Sequence, residues 1–322
     1  MSELTRRAVV AGLAGLAVNT ARAEVAWPSR TITMIHGFPA GGPSDLIARI
    51  IADGLTKALG QSVIVEARPG ASGTNAAAQV ARAAPDGYTL MVIPSGHASA
   101  AATFAKLPYG SIDDFTMITL ASEYPYVMCT NAASGINSVA ELISAARSRP
   151  APLVYGTPGV GSGPQLAIEL FALKTKIKVL HVPYRGSAPA VMELVAGRLD
   201  FMMDPPATLM EFIRDGKLHA LAVSSAKPYF ALPQTPTVAE SVPGFDVRAW
   251  QGLIAPAGLP EPILKRLNAE VVLILKDPAT VERLHTFGNE PAPSSPEEFK
   301  KRLADDIAVW SALADQIHFE KI

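Results

Sequence analysis

ITMIHGFPAGGPSDLIARIIADGL, residues 32–55, joins an apolar, strand-like run to an amphipathic helix through a loop of Gly and Pro. Leu46, Ile47, Ile50, Ile51, Leu55 and Leu59 fall on one helical face, with Arg49, Asp53 and Lys57 on another. The first N–H groups of such a helix lack intrahelical partners, and the aligned peptide dipoles place about half a positive charge there. A carboxylate or phosphate satisfies both, provided no side chain blocks its approach. Gly41 and Gly42 leave the approach open, Pro43 or Ser44 can begin the helix, and Asp45 suits its first turn.

The same chemistry recurs along the chain. ARPGASGTNAAAQVARAAPDG follows the strand 63–66, GTPGVGSGPQLAIELFALK follows 153–155, and PYRGSAPAVMELVAGRLD follows 179–182. For any single loop, ordinary strand-to-helix geometry accounts for the glycines. Four loops of one chemical type in one chain suggest a shared ligand cleft.

Strand-like and helical segments alternate in two blocks. The first holds strands at 32–38, 63–66 and 89–94, then an extended run at 126–130. The second holds a helix at 139–147 and strands at 153–155, 179–182, 200–204 and 218–224, each separated by a helix. Helices of this length between strands predict parallel sheets in an α/β fold, and two blocks predict two lobes. Residues 226–245 look irregular, 250–255 reads as a strand, and 261–275 and 296–316 read as helices. A C-terminal portion returning to the first lobe would cross between the lobes twice and leave a hinged central cleft. The expected boundaries are lobe 1 at 24–124 and 225–322, and lobe 2 at 125–224.

With 322 residues, 49% apolar and 18% charged, the chain has the composition of a globular protein with a substantial core. Arg6 and Arg7 precede an apolar run at 8–18, and Ala21-Arg22-Ala23 offers the small-x-small pattern of a signal-peptidase site. Residues 1–23 are therefore expected to be a signal peptide cleaved after Ala23, with export to the periplasm by Sec or Tat. The run is too short for a permanent membrane anchor. Cleavage leaves 25 basic against 28 acidic residues, which gives a nucleic-acid partner no electrostatic support. Cys129, the only cysteine, lies in an apolar strand-like run and is read as buried packing rather than a nucleophile.

Enzyme signatures are wanting. No serine sits in a G-x-S-x-G elbow, and the six histidines are scattered without paired metal-ligand spacing. The glycines at 159, 161 and 163 fail the G-x-G-x-x-G dinucleotide pattern. No catalytic residue, metal or cofactor is expected.

The combination of WPSRTITMIHGFPAGGPSDLIAR, VIVEARPGASGTNAAAQVARAAPDGYTL, LPYGSIDDF, LVYGTPGVGSGPQLAIELF, VLHVPYRGSAPAVMELVAGRLDFMMD, LHALAVSSAKPYFALPQTPTVAE and WQGLIAPAGLPEPILKRLN resembles the tripartite tricarboxylate transporter substrate-binding proteins, the TctC or Bug family. The resemblance implies a two-lobed periplasmic-binding-protein fold of the type II kind, closing on a small organic carboxylate gripped chiefly by loop amides. It also implies a monomer that hands its ligand transiently to transporter membrane subunits.

Carried over by position, the first clamp comprises Phe38, Pro39, Ala40, Gly41, Gly42, Ser44 and Asp45, with Phe38 as an apolar wall. The opposing clamp comprises Thr157, Gly161, Ser162 and Gln165; many relatives place His at the last of these. Ser95, Gly96 and His97 are expected on the cleft floor, and Asp204 at a strand end either caps the next helix or meets a ligand amine or water. Arg185 is read as an exposed basic residue more readily than as a carboxylate fork. A ligand sensor for a two-component kinase and a secreted hydrolase or isomerase using Asp45 or Asp204 stand as alternatives.

Overall fold

The computed structural model describes residues 27–322; the expected signal peptide lies outside them. The chain runs β1 (Ile32–His36), α1 (Pro43–Leu59), β2 (Val63–Ala67), α2 (Thr74–Ala81), β3 (Thr89–Pro94), α3 (Gly96–Thr103) and β4 (Phe115–Pro125). It continues through β5 (Val127–Asn131), α4 (Val139–Ser148), β6 (Leu153–Thr157), α5 (Gly163–Thr175), β7 (Val179–Pro183), α6 (Ser187–Val195), β8 (Met202–Asp204), α7 (Pro206–Arg214) and β9 (Leu218–Val223). After α8 (Val238–Ser241) comes the C-terminal return, with β10 (Arg248–Pro256), α9 (Glu261–Lys276), α10 (Pro278–Thr286), β11 (Glu290–Pro291) and α11 (Pro296–Gln316).

A six-stranded sheet has the order β11-β4-β10-β3-β1-β2. Its β2-β1-β3 part is parallel, as βα alternation dictates, whereas β10 runs antiparallel to both β3 and β4. The expectation of parallel sheets thus holds in this sheet for the strands that alternate with helices but not for β10, which arrives from the C-terminal return and enters from the opposite end. A second group pairs β6 with β7 in parallel and places β5 antiparallel between β8 and β9. A parallel bridge between Tyr155 and Phe201 connects these strands.

Apolar residues of α1 and α9, among them Ile47, Ile51, Leu55, Leu267 and Val271, cover one face of the first sheet. A larger core covers the other face and runs past Tyr124 and Tyr126 to Leu166 and Phe171 of α5. Helix α11 opens on a capping box: Ser295 accepts from the Glu298 amide at 3.1 Å, and Glu298 accepts from the Ser295 amide at 2.8 Å. It packs along α3 and reaches α5, so the C-terminal helix spans both strand groups.

The two chain crossings lie side by side. Ser224 donates its amide to the Tyr126 carbonyl at 2.9 Å, and its hydroxyl accepts from the Tyr126 amide at 2.8 Å and donates to the Val247 carbonyl at 2.5 Å. Residues 226–245 stay with the second group, where the Val223 amide donates to the Pro236 carbonyl at 2.9 Å, and the chain re-enters the first sheet at Arg248. None of the helices among the described residues is long and apolar enough to cross a membrane.

Candidate functional site

All four Gly-rich loops reach one cleft of about 270 Å³. Phe38 comes from the loop after β1, Ser72 from that after β2, Gly159 to Pro164 from that after β6, and Ser187 from the end of the loop after β7. Ser95 and Gly96 join them at the end of β3. The cleft receives the N-terminal residues of α3, α5 and α6, whose first amides have no intrahelical partner. None of its lining residues is charged. Positive potential there comes from backbone dipoles rather than side chains.

The loops are held by a shared device. The Gly41 amide donates to the Asp45 carboxylate at 3.0 Å, and the Gly161 amide donates to Gln165 Oε1 at 2.7 Å. In each loop a side chain in the first helical turn pulls back the amide four residues earlier. Both glycines adopt positive φ, at 83° and 73°, where a side chain would strain the backbone. These two loop amides are thus engaged within the protein and are not free to bind a ligand.

Asp45 is almost completely buried. Its carboxylate also meets His36 Nε2 at 3.0 Å and accepts from Arg49 Nε at 2.9 Å. Arg49 holds its pKa down at about 2, with help from the Gly41 amide and His36 and against the opposing effect of burial. With Gly41 and Gly42, Asp45 lines a second chamber of about 290 Å³ beside the cleft. Ser44 is buried and donates to Gln251 Oε1 on β10 at 3.0 Å, fixing α1 to the sheet. Pro39 and Ala40 form the exposed turn of the first loop and line neither space.

In the second clamp, Ser162 is the N-cap residue of α5 by position, yet its hydroxyl makes no capping bond. The Ser162 Oγ is buried without a partner among the described residues, and the residue lines the cleft. Thr157 is fully buried; its hydroxyl donates to the Gly159 carbonyl at 3.0 Å and pairs with His181 Nε2 at 2.6 Å. It shapes the loop from behind instead of facing the cleft. Burial pushes the His181 pKa down to about 4, so this ring is neutral in the folded protein near pH 7.

His97 departs from its expected place on the cleft floor. Its ring is buried, stacked on Tyr109 with centroids 5.5 Å apart, and Nε2 meets the Ser111 carbonyl at 2.9 Å. Desolvation lowers its pKa to about 4. As the second residue of α3 it is rotated by about a hundred degrees from Gly96, which turns its side chain toward the core.

Asp204 is also set back from both spaces. It is fully buried, and Oδ2 accepts from the Thr208 hydroxyl at 2.5 Å. Its Oδ1 has no partner among the described residues, and burial raises its pKa to about 7. The carboxyl thus pins the first turn of α7 and stands behind Ser187, which lines the cleft. Arg185 is exposed and lines neither space. Cys129 is buried, as expected, and burial pushes its thiol well up.

Tyr124 and Tyr126, one on each side of Pro125, line the cleft and were missed by sequence reasoning. Their rings meet edge-on at 6.3 Å. A Cβ at Gly163 would collide with the Tyr126 hydroxyl, so Gly is needed where α5 meets the crossing. The signal available was an aromatic pair flanking a proline where the blocks of alternation change.

Two lobes joined by adjacent crossings, with helix N-termini converging on an uncharged cleft, define a solute-binding protein with the type II periplasmic-binding-protein fold. The chain belongs to the tripartite tricarboxylate transporter receptor family, whose model matches residues 47–319. It is 36% identical over 318 residues to the UPF0065 protein of the tcbD-tcbE intergenic region of Pseudomonas sp. strain P51, covering 97% of this chain and 95% of that one. Among solved structures, R. palustris Rpa4515 with adipate is 34% identical with a TM-score of 0.82, covering 92% of this chain and 100% of that one. MatC from Rhodopseudomonas palustris with bound malate is 35% identical with a TM-score of 0.76, covering 89% and 99%.

Proposed function

We propose that the protein is a periplasmic receptor that captures a small organic carboxylate between its lobes and delivers it to a tripartite tricarboxylate-type membrane transporter, without transforming it. The observation carrying this reading is the cleft itself: three helix N-termini meet at a space with no charged side chain. A carboxylate supplies the acceptors such a site lacks. The adipate and malate held by the two solved relatives support the same ligand class.

In this reading one lobe is 24–124 with the C-terminal return and the other is 125–224. The segment 225–247 rides on the second lobe, and closure turns about Tyr126, Ser224 and Val247. The receptor is exported, loses residues 1–23 and acts as a monomer.

The test is a thermal-shift screen of residues 24–322 against mono-, di- and tricarboxylates, acidic amino acids and neutral solutes. A carboxylate at about 100 times its Kd should add about 2.7 kcal/mol of stability. Shifts from neutral or cationic solutes alone would overturn the reading.

A further inference from the structure

The chamber of about 290 Å³ beside the cleft is larger than receiving a carboxylate head alone demands, and its chemistry differs from that of the cleft. Its walls are mainly Pro43, Leu46, Pro205, Pro206, Ala207 and Phe287. Tyr124 and Pro205 border both spaces, so the chamber adjoins the carboxylate site across this pair. A cavity of roughly 150 Å³ with such a lining suffices to hold benzene.

The carboxylate and the amide that line the chamber are already bonded within the protein. Asp45 meets His36, Gly41 and Arg49, which leaves the Asp45–Arg49 pair without net charge. Asn289 accepts from the Ser122 hydroxyl at 3.1 Å and donates to the Phe287 carbonyl at 3.1 Å. The outer wall is fastened by the Tyr229 hydroxyl, which donates to the Gly288 carbonyl at 2.7 Å. The donors that remain are the Arg49 N–H groups beyond Nε, on a guanidinium whose charge Asp45 already balances, whereas an apolar group gains against the rest of the wall by leaving water.

Resting on the carboxylate-receptor reading, we propose that this chamber is a tail subsite and that the ligand is a monocarboxylate bearing an apolar, ring-sized group. The head binds at the helix N-termini of the cleft, and the ring passes Tyr124 and Pro205 to lie between Leu46 and Phe287.

The experiment measures calorimetric affinities for 3-phenylpropanoate, butanoate, malate and adipate. Phenylpropanoate is expected to bind at least about tenfold tighter than butanoate or either dicarboxylate, from burial of the ring. Ala207→Phe, at an exposed position in the first turn of α7, should remove that advantage and leave butanoate unchanged. Phe287→Ala, at another exposed position, should weaken phenylpropanoate alone. Melting curves without ligand check that each variant is folded. Tightest binding of malate or adipate, weakened by Arg49→Gln, would overturn the tail subsite in favour of a second anionic end. Phenylpropanoate binding untouched by both Ala207→Phe and Phe287→Ala would overturn it as well. Failure of every carboxylate to bind folded wild-type protein would instead overturn the receptor reading beneath it.

Discussion

Replacing Asp204 by Asn should remove a pH dependence of stability that one buried carboxyl imposes on the fold. Among the described residues Asp204 has no cation beside it, and its hydrogen-bond partner is the hydroxyl of Thr208. Burial raises its pKa from 3.8 to about 7, so the folded protein holds the proton more tightly than the unfolded chain does. A raised carboxyl pKa contributes stability that is fully present below about pH 4 and is lost as pH rises toward about 7. Each tenfold in proton affinity is worth about 1.4 kcal/mol, which puts the full effect at about 4 kcal/mol. Asn is close to isosteric, carries no charge and can still accept from Thr208. Urea-unfolding free energies of both proteins at several pH values from about 4 to about 8 isolate this group, because His97, His181 and the other titrating residues cancel in the difference. The difference should be constant up to about pH 4 and then move in favour of Asn, by up to about 4 kcal/mol above pH 7. A difference that stays flat across the range would mean that Asp204 is ionised and hydrated in the folded state. Movement in favour of Asp would require a cationic partner, and either result refutes a carboxyl that burial alone keeps protonated.

Asp45 titrates with the opposite sign. Its pKa is held down at about 2, so its contribution is present above about pH 4 and fades as pH falls toward 2. Asp45→Ala should lower stability by about 2 kcal/mol near pH 7, a figure moderated by the half-exposed Arg49, and should flatten the acid limb of a pH-dependent unfolding series. Ser162→Ala should leave the melting temperature without ligand unchanged or slightly higher, because it deletes a buried hydroxyl with no partner among the described residues. His97→Leu should do the reverse, costing about 1–2 kcal/mol of unfolding free energy through the orphaned Ser111 carbonyl with no change in affinity. Gln165→Glu should weaken carboxylate binding by more than about tenfold, since a new anion at the second loop meets no cation; unaltered affinity in a titration would contradict this.

The parts of the fold legible in the sequence are those with strong local punctuation. The four loops carry Gly and Pro between a β-rich run and an apolar-faced helix, and the structure brings all four to one cleft. Strand β4 was not anticipated, although it is the long strand that leads into the first crossing. Most of its residues are buried on both faces, so the period of two is erased, and no Gly or Pro marks its start. Helix α10 was missed for a related reason: Asp277 caps it and Pro278 opens it directly after α9, so the break looks like one helix ending. His97 was misplaced because α3, GHASAAAT, is almost uniformly small and has no apolar stripe to say which side faces the core.

The chemistry of the clamp was legible to the level of residue type but not to the direction of each N–H. Glycine at 41 and 161 signals a backbone that side chains cannot follow, and both residues have positive φ. Nothing local states that these amides turn inward to Asp45 and Gln165, because that depends on the helix start placing a side chain over its own loop. Once both bonds are seen, the contrast between the two locks becomes intelligible. Asp45 can be an anion because Arg49 lies four residues further along α1. Four residues beyond Gln165 stands Glu169, half-buried, bonded to the Tyr155 hydroxyl at 2.5 Å and raised in pKa by desolvation. A carboxylate at position 165 would stand one helical turn from that acid, with no base four residues on to pair it. An amide makes the same bond to the Gly161 N–H and adds no charge, which is the electrostatic reason that Gln suits the second loop where Asp suits the first.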